Sequence, residues 1–323
     1  MKHMIKQVPI PIAGVMLGLC ALGNLLQSYS ETVRMICGVS AAFLGVFLLL
    51  KFLIHPDQIR KDYENPILAS VSATIFMSVM QLCTYAYPYL GNITMIIWFA
   101  AVAGHIFLMG WYTKKFILRF DLSEIFPTCY ITYVGIVVAT LTSPTFGMET
   151  LGRVLLVFGL AAYMIMFIII TYRYIKIEVH EAARPLFCIY TAPMSLCLAG
   201  YLVVVDEKSW ILTLILEIIA QTLFILVLIR LPRLLKLPFY PSYAAFTFPF
   251  VITAFALKKW IGSFAEMNVA IPEGLLTGLQ VILAIETLIA VLMVGYTFLR
   301  FVMYLAGELK KNVILRKAHK VQG

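Results

Sequence analysis

The stretch YAAFTFPFVITAF, residues 243–255, places a helix-breaking residue inside uncharged sequence. Pro249 lies within it, between Phe248 and Phe250. Proline lacks a backbone N–H, and its ring clashes with the preceding helical turn, so it kinks or breaks a helix when it falls inside one. The stretch therefore predicts an interrupted helix in an apolar environment, with large aromatic side chains at the interruption.

The composition of the chain indicates what this environment is. The chain is 62% hydrophobic and 13% charged, and its mean hydropathy of +0.94 is well above that of soluble proteins. Its apolar runs, at about 20 residues each, match the helix length that crosses a hydrocarbon core of about 30 Å. We predict an all-α membrane protein with a single transmembrane domain over residues 1–323. The basic and then apolar start resembles a signal peptide, but it has no clear cleavage site, so we expect it to form the first span.

The apolar runs predict ten membrane-spanning helices. They lie at residues 9–29, 33–54, 66–87, 91–116, 123–142, 150–175, 184–204, 209–232, 241–261 and 274–305. Short links that are poor in charge alternate with charged links, which groups the spans into five helical hairpins at 9–54, 66–116, 123–175, 184–232 and 241–305. Such an internal repeat predicts five tandem hairpins with quasi-five-fold symmetry.

The basic residues predict the orientation of these hairpins. Of the 25 Lys and Arg residues, 20 fall in the termini and in the links on one side, and five fall on the opposite side. Because basic residues concentrate on the cytoplasmic side, we expect a multi-pass protein of the plasma (inner) membrane with both termini in the cytoplasm. This bias accounts for most of the net charge of +9, so we expect membrane lipid, and no nucleic acid, as a partner.

Prolines distinguish the odd-numbered spans from the even-numbered ones. The odd-numbered spans carry Pro11, Pro66, Pro127, Pro193 and Pro249, whereas the interiors of the even-numbered spans carry none. Kinks free backbone groups that lipid cannot satisfy, so kinked helices belong inside a bundle or along a watery path. We predict an inner ring of five kinked helices around a pore, with five unbroken helices outside it. The alternative is that proline is simply common in membrane helices.

No catalytic or metal-binding motif is visible. The five histidines are scattered, there is no HExxH pair, and no glycine-rich loop could cradle a phosphate. The six cysteines include no CxxC pair and are expected to be free and buried. We therefore predict no enzymatic activity, no metal and no cofactor.

His105, Glu217 and Glu286 lie well inside even-numbered spans. An ionisable group inside a membrane is a candidate for proton relay or ion coupling. The alternative is structural, with a neutral His105 hydrogen-bonded between helices and each glutamate bonded to an inner helix or a neighbouring subunit. We favour the structural interpretation for all three.

The inner spans carry hydroxyl and amide groups and almost no charge. These are Ser70, Ser72, Thr74, Ser78, Gln81, Thr128, Thr132, Thr191, Ser195, Thr247 and Thr253. Such a lining would bind an anion loosely, and preference for anions would come from distant basic residues such as Lys258 and Lys259 near the outer mouth. The alternative is that these groups serve helix packing.

Three motifs resemble those of the tellurite-resistance/dicarboxylate transporter family, which includes the bacterial TehA proteins and the plant guard-cell slow anion channels. They are PIPIAGVMLGLCALGNL at 9–25, YTAPMSLCLAGYL at 190–202 and AAFTFPF at 244–250. The resemblance covers essentially the whole chain. It implies a homotrimer of independent pores, each formed by five inner helices and closed by a phenylalanine.

The resemblance also assigns roles to particular residues. Phe248 matches the gating phenylalanine, and Gly14 matches a glycine that faces the pore. With them, the expected pore-lining or kink positions are Gly18, Pro127, Thr128, Pro193, Thr247 and Pro249. Gly14 and Gly18 also form a GxxxG spacing, which is typical of close helix packing.

The function expected from this combination is a channel for small monovalent anions such as nitrate and chloride, occluded at rest by Phe248. The alternative is a secondary transporter or exporter of dicarboxylates or oxyanions such as malate, sulfite or tellurite. A dicarboxylate carrier should hold a basic residue at its central site. No Lys or Arg lies deep in any odd-numbered span, which favours the channel.

Overall fold

The structure is a computed structural model that describes the backbone of residues 2–321 and the side chains of residues 4–308. Within that part of the chain it contains helices and no strand. The α-helices are α1 (Lys2–Gln7), α2 (Ile12–Leu26), α3 (Glu31–Ile54), α4 (Pro56–Asp62), α5 (Pro66–Val71), α6 (Ala73–Leu90), α7 (Asn92–Tyr112), α8 (Thr128–Tyr133), α9 (Val137–Thr142), α10 (Glu149–Lys176), α11 (Ala192–Val204), α12 (Trp210–Leu234), α13 (Phe248–Gly262) and α14 (Glu273–Val321). Segments of 3-10 helix occupy Leu122–Glu124, Ser143–Phe146, Glu181–Thr191 and Pro241–Phe246, and a π-helical turn occupies Thr113–Ile117.

In the part of the chain that the structure describes, eight helical stretches are long and apolar enough to cross a membrane. They are Glu31–Ile54, Pro66–Leu90, Asn92–Ile117, Glu149–Lys176, Glu181–Val204, Trp210–Leu234, Pro241–Gly262 and Glu273–Glu308. Each corresponds to one of the predicted spans. The prediction of an all-helical, multi-pass membrane protein is therefore confirmed.

The other two predicted spans form shorter helices. The first, predicted at 9–29, contains only the 15 residues of α2. The fifth, predicted at 123–142, is divided into α8 and α9 by a turn around Gly135. A Cβ atom at Gly135 would collide with the carbonyl oxygen of Ile131 and would lie 2.7 Å from the sulfur of Met77. Only glycine fits this turn, and the sequence pattern alone does not reveal it.

The five prolines of the odd-numbered spans stand at the beginnings of helices. Pro11 and Pro127 are the residues immediately before α2 and α8, and Pro66, Pro193 and Pro249 lie in the first turns of α5, α11 and α13. A proline in the first turn costs no helical hydrogen bond, because that N–H has no partner within the helix. The expectation of kinked helices is thus corrected at these positions, whereas the interruption predicted within residues 243–255 is found between the 3-10 segment Pro241–Phe246 and α13. A second difference is that Pro232 lies in the last turn of an outer helix, α12, which continues to Leu234.

Burial separates the segments into two groups. The percentages that follow refer to an apolar stretch of 18 residues within each segment. In Glu181–Val204 and Pro241–Gly262, 89% and 78% of that stretch is buried, against 33% in Glu31–Ile54 and in Glu149–Lys176. Of the 15 residues of α2, 13 are buried. The proline-bearing segments therefore lie inside the bundle, and the even-numbered segments expose apolar side chains at its surface.

The buried helices pack against one another in a closed circuit. Contacts link α2 to α6, α6 to α9, α9 to α11, α11 to α13, and α13 back to α2. Hydroxyl groups form hydrogen bonds between neighbouring segments. Three of them donate to backbone carbonyl oxygens, namely Ser78 Oγ to Ala13 O at 3.2 Å, Thr191 Oγ1 to Pro249 O at 3.1 Å and Thr247 Oγ1 to Gly14 O at 2.9 Å. Two more bonds join pairs of hydroxyls, namely Ser70 Oγ to Thr128 Oγ1 at 2.7 Å and Ser195 Oγ to Thr253 Oγ1 at 3.2 Å. These hydroxyls therefore bond neighbouring segments, as the helix-packing alternative predicts.

Candidate functional site

Two cavities lie among the five buried segments. The first, here called the apolar cavity, has a volume of about 240 Å³. Several residues of each segment line it, and the last of these in chain order are Leu17, Met77, Gly135, Leu196 and Pro249, one from each segment. The second, the basic cavity, has a volume of about 920 Å³. The first residues of the same five segments to line it, in chain order, are Ala21, Gln81, Leu141, Leu202 and Ile252. All five segments therefore run from the apolar cavity to the basic cavity.

A thin layer of side chains separates the two cavities. In each segment the last residue of one lining and the first residue of the other are three to six positions apart. At about 1.5 Å per helical residue, this separation is about 5–9 Å. Because each of the five segments passes from one lining to the other within this distance, we infer that a single barrier divides the two cavities. Phe248 lines the apolar cavity at this barrier, next to Pro249.

The structure distinguishes Phe248 from its two neighbouring phenylalanines. Phe246 and Phe250 are fully buried, and their ring centroids lie 4.7 Å from that of Tyr243 and 6.0 Å from that of Phe224. Phe248 lines a cavity instead. Of the three, it is the one whose ring can change position without breaking a packed aromatic pair.

Thr247 sets the direction of the chain just before Phe248. Its φ and ψ angles of −104° and −92° end the 3-10 segment Pro241–Phe246 before α13 begins. Its Oγ1 lies within hydrogen-bonding distance of the carbonyl oxygens of Gly14, at 2.9 Å, and Ala244, at 2.7 Å. Thr247 therefore anchors the start of α13 to α2 and does not line either cavity.

The two glycines of α2 occupy different environments. Gly14 lines the apolar cavity, and a Cβ atom there would lie 3.1 Å from the Cβ of Ala244. A Cβ atom at Gly18 would collide with the Cβ of Thr247 and would lie 3.1 Å from the backbone nitrogen of Phe248. Gly18 thus permits the close approach of α2 and α13, whereas Gly14 faces the cavity.

Of the remaining predicted pore and kink positions, some line a cavity and others do not. Pro193 and Pro249 line the apolar cavity. Pro127 and Thr128 lie outside both cavity linings, and Thr128 Oγ1 accepts a hydrogen bond from Ser70 at 2.7 Å. The structure therefore brings Gly14, Pro193, Phe248 and Pro249 to one cavity and places Gly18, Thr128 and Thr247 in contacts between helices.

Basic side chains outnumber acidic ones at the basic cavity. Its lining includes Arg34, Lys208, Lys258, Lys259 and Glu266. Lys208 Nζ lies 2.8 Å from a carboxylate oxygen of Glu266, and this hydrogen bond, together with the charge of Lys208, holds the pKa of Glu266 below its usual range. Glu266 therefore stays ionised and offsets only part of the positive potential.

The two lysines predicted to attract anions both line this cavity. Lys258 Nζ donates hydrogen bonds to the carbonyl of Leu25 at 2.7 Å and to Ser28 Oγ at 2.6 Å. It therefore also ties α13 to the end of α2. Lys259 is exposed, and its ammonium lies 5.6 Å from the ring centroid of Phe255.

The basic cavity also contains a polar network that the sequence did not indicate. Arg34 donates from Nε to Asn24 Oδ1 at 3.1 Å and pairs with Glu31 at 2.7 Å. Asn24 donates from Nδ2 to Gln81 Oε1 at 3.2 Å, across 57 positions of sequence. The only signal available beforehand was the helical spacing of Gln81 and Thr84, which puts two polar groups on one face.

The buried His105 connects an outer helix to an inner one. Its Nε2 lies 2.9 Å from the carbonyl oxygen of Thr132, and it lines neither cavity. This position agrees with the structural interpretation of His105.

Glu217 and Glu286 lie close together on the outer helices α12 and α14. They are 4% and 2% exposed, so neither is free to bond a neighbouring subunit. Gln221 donates to Glu217 Oε1 at 2.8 Å. Among the described residues, none is hydrogen-bonded to Glu217 Oε2 or to either oxygen of Glu286. Neither glutamate lines a cavity.

Among the residues with described side chains, no three of the His, Cys, Asp and Glu type form a cluster that could hold a metal ion. The six cysteines are free and buried, as expected. The two cavities differ in character, because one is lined mostly by apolar residues and the other includes four basic residues.

Comparison with known proteins agrees with this arrangement. Residues 7–304 match the family described as voltage-dependent anion channels. The chain belongs to this family. The resemblance to the TehA proteins and slow anion channels is thereby confirmed, and the voltage-dependent anion channel family is one of membrane channels and transporters for anions, not of enzymes. No curated protein matches the chain.

Proposed function

We propose that the chain forms a channel for small monovalent anions, with Phe248 as the gate. The observation that carries the proposal is the pair of cavities, each lined by the same five segments and separated by one barrier at which Phe248 lies. In this proposal the ten predicted spans form five hairpins with quasi-five-fold symmetry. The two short segments, α2 and α8–α9, belong to the inner ring, where a complete bilayer-spanning length is not required.

The preference for anions would arise from two features. Four basic residues and one acidic residue line the basic cavity, and their combined potential raises the local concentration of anions. The apolar cavity offers few polar groups, so an ion crossing the barrier must lose water with little compensation. We expect easily dehydrated anions to pass best, with nitrate ahead of chloride.

The proposal also includes an orientation and an assembly. The basic cavity would open outward and the apolar cavity toward the cytoplasm, with both termini on the cytoplasmic side of the plasma membrane. This orientation is supported by the concentration of Lys and Arg in the links next to the apolar cavity. The exposed apolar faces of the outer helices would contact lipid and the other two subunits of a homotrimer.

Anion substitution tests the proposal directly. In planar bilayers containing the purified protein, the reversal potential is expected to follow the chloride gradient and not the potassium gradient. Replacing chloride by nitrate on one side should shift it in the direction of higher nitrate permeability. A reversal potential that follows potassium would contradict the proposal.

The second candidate function is a secondary transporter of dicarboxylates or oxyanions such as malate, sulfite or tellurite. The observation that favours it is the pair of buried glutamates, Glu217 and Glu286, whose oxygens are incompletely hydrogen-bonded. Coupled carriers use such groups to bind protons or cations. The position of both outside the cavity linings favours the channel.

Neutralising these two carboxyls separates the candidates. For the channel, Glu286→Gln and Glu217→Gln are expected to leave anion flux in liposomes within about twofold of the wild type, because a glutamine resembles a protonated carboxyl in shape and hydrogen bonding. The same flux should not depend on an imposed pH gradient. Proton-driven uptake of malate or sulfite that either substitution abolishes would instead establish the carrier.

A further inference from the structure

Gln81 is the one polar residue at the floor of the basic cavity, the level at which the cavity meets the barrier. The other four floor residues are Ala21, Leu141, Leu202 and Ile252. An anion that arrives from the basic cavity has already lost part of its water before it crosses the barrier. The side chain able to replace that water at the floor is Gln81, which is only 4% exposed.

The direction of the Gln81 amide follows from a chain of hydrogen bonds that begins at Arg34. Arginine carries only donors, so the atom of Asn24 that faces Arg34 Nε must be the carbonyl oxygen Oδ1. Asn24 then presents Nδ2 to Gln81, which must accept with Oε1. The amide nitrogen of Gln81, with its two N–H groups, is left for the cavity. Among the described residues, none accepts a hydrogen bond from it.

Arg34 is held firmly enough to set this direction. Its Nη1 pairs with Glu31 at 2.7 Å, its guanidinium lies 4.3 Å from the ring centroid of Tyr85, and it is 8% exposed. The chain of donors therefore points one way.

We propose that Gln81 Nε2 binds small monovalent anions at the floor of the basic cavity, in an orientation that Arg34 and Asn24 impose. The proposal rests on the proposed channel function and adds a selectivity position to it. An amide donor attracts an anion less strongly than an ammonium does, so the ion is held briefly and released, as conduction requires. A cation that reaches the same floor meets N–H groups where it would need oxygen ligands.

Reversing the chain of hydrogen bonds tests the proposal. In Asn24→Asp, the carboxylate can only accept, so it keeps its bond to Arg34 and accepts from Gln81 Nε2, which turns Gln81 Oε1 toward the cavity. The matched control is Gln27→Glu, which adds the same charge one turn away in the same cavity, at an exposed residue outside the hydrogen-bond chain. Both variants are made in a Phe248→Ala background, so that the gate does not limit the current.

We expect Asn24→Asp to reduce chloride conductance by about tenfold, the effect of losing one hydrogen bond to an ion. We expect Gln27→Glu to reduce it by about twofold, the effect of a partly screened charge. Gln81→Met, which keeps the length of the side chain and removes its donor, should also reduce chloride conductance by about tenfold. In the double variant Asn24→Asp/Gln81→Met, the two reductions should not multiply, because both act on the same donor.

The outcomes of this experiment are distinguishable. Equal effects of Asn24→Asp and Gln27→Glu would overturn the role of Gln81, as would a Gln81→Met channel with undiminished chloride conductance. Size-exclusion profiles of the purified variants check that each is folded. If Phe248→Ala alone conducts no anions, the proposed channel fails and the role of Gln81 fails with it. If Phe248→Ala conducts and the two acidic variants behave alike, only the role of Gln81 fails.

Discussion

Replacing Phe248 by alanine is expected to raise anion conductance by about tenfold or more, which corresponds to lowering the barrier by at least about 1.4 kcal/mol. The ring lines the apolar cavity where only about 5–9 Å separates the two cavities. Removing it opens that layer, and the five segments around it keep their contacts. The measurement is the chloride and nitrate current of wild type and Phe248→Ala in the same bilayers.

Phe250→Ala is the matched control for this experiment. The substitution is the same and lies two positions away, but Phe250 is fully buried and packs on Phe224. We expect Phe250→Ala to lose about 3–5 kcal/mol of stability, as deletion of a core aromatic ring does, without opening a passage. Unchanged current in a correctly inserted Phe248→Ala protein, or an equal rise in Phe250→Ala, would remove Phe248 from the gate.

The helices of this protein were largely predictable because their formation depends on local sequence. A run of about 20 apolar residues in a membrane has few alternatives to a helix, and predicted spans such as 33–54 agree closely with Glu31–Ile54. The turn at Gly135 was not predictable. It depends on the carbonyl of Ile131 and on Met77, and Met77 is distant in sequence.

The prolines illustrate a similar limit. Their restriction to odd-numbered spans correctly indicated which segments are buried, since 78% of the apolar window of Pro241–Gly262 is buried. Whether a proline kinks a helix or begins one depends on the residues before it. In Glu181–Thr191 and Pro241–Phe246 those residues form 3-10 helix, so the α-helices begin at the prolines.

The candidate site was predictable in part, for the same physical reason. Periodicity could not separate Phe248 from Phe246 and Phe250, because all three lie in one short stretch, and the family resemblance selected Phe248. The contact between Asn24 and Gln81 joins two segments 57 positions apart. Such a contact forms only when the inner segments pack together, so no sequence pattern within either segment predicts it.

At Gly18, α2 and α13 come so close together that a side chain on α2 would collide with α13. We expect Gly18→Ala to destabilise the protein by about 1–3 kcal/mol, the usual cost of forcing extra atoms into a packed interior. The new Cβ would collide with Thr247 and press on the backbone of Phe248. Since Thr247 anchors the start of α13, the collision should also displace the gate and raise the resting anion current. The measurements are the apparent Tm of the purified protein and the current at rest.

Gly14→Ala is the control on the same helix, because the closest atom to its new Cβ would be the Cβ of Ala244, at 3.1 Å, next to an open cavity that can absorb a small shift. It should therefore lower the Tm less than Gly18→Ala does. The double variant Gly18→Ala/Thr247→Gly adds a methyl group on α2 and removes the larger Thr247 side chain with which that methyl group would collide. It should recover part of the lost Tm, although it gives up the hydrogen bond from Thr247 to Gly14. A wild-type Tm and current in Gly18→Ala, or no recovery in the double variant, would show that this contact does not hold the gate helix in place.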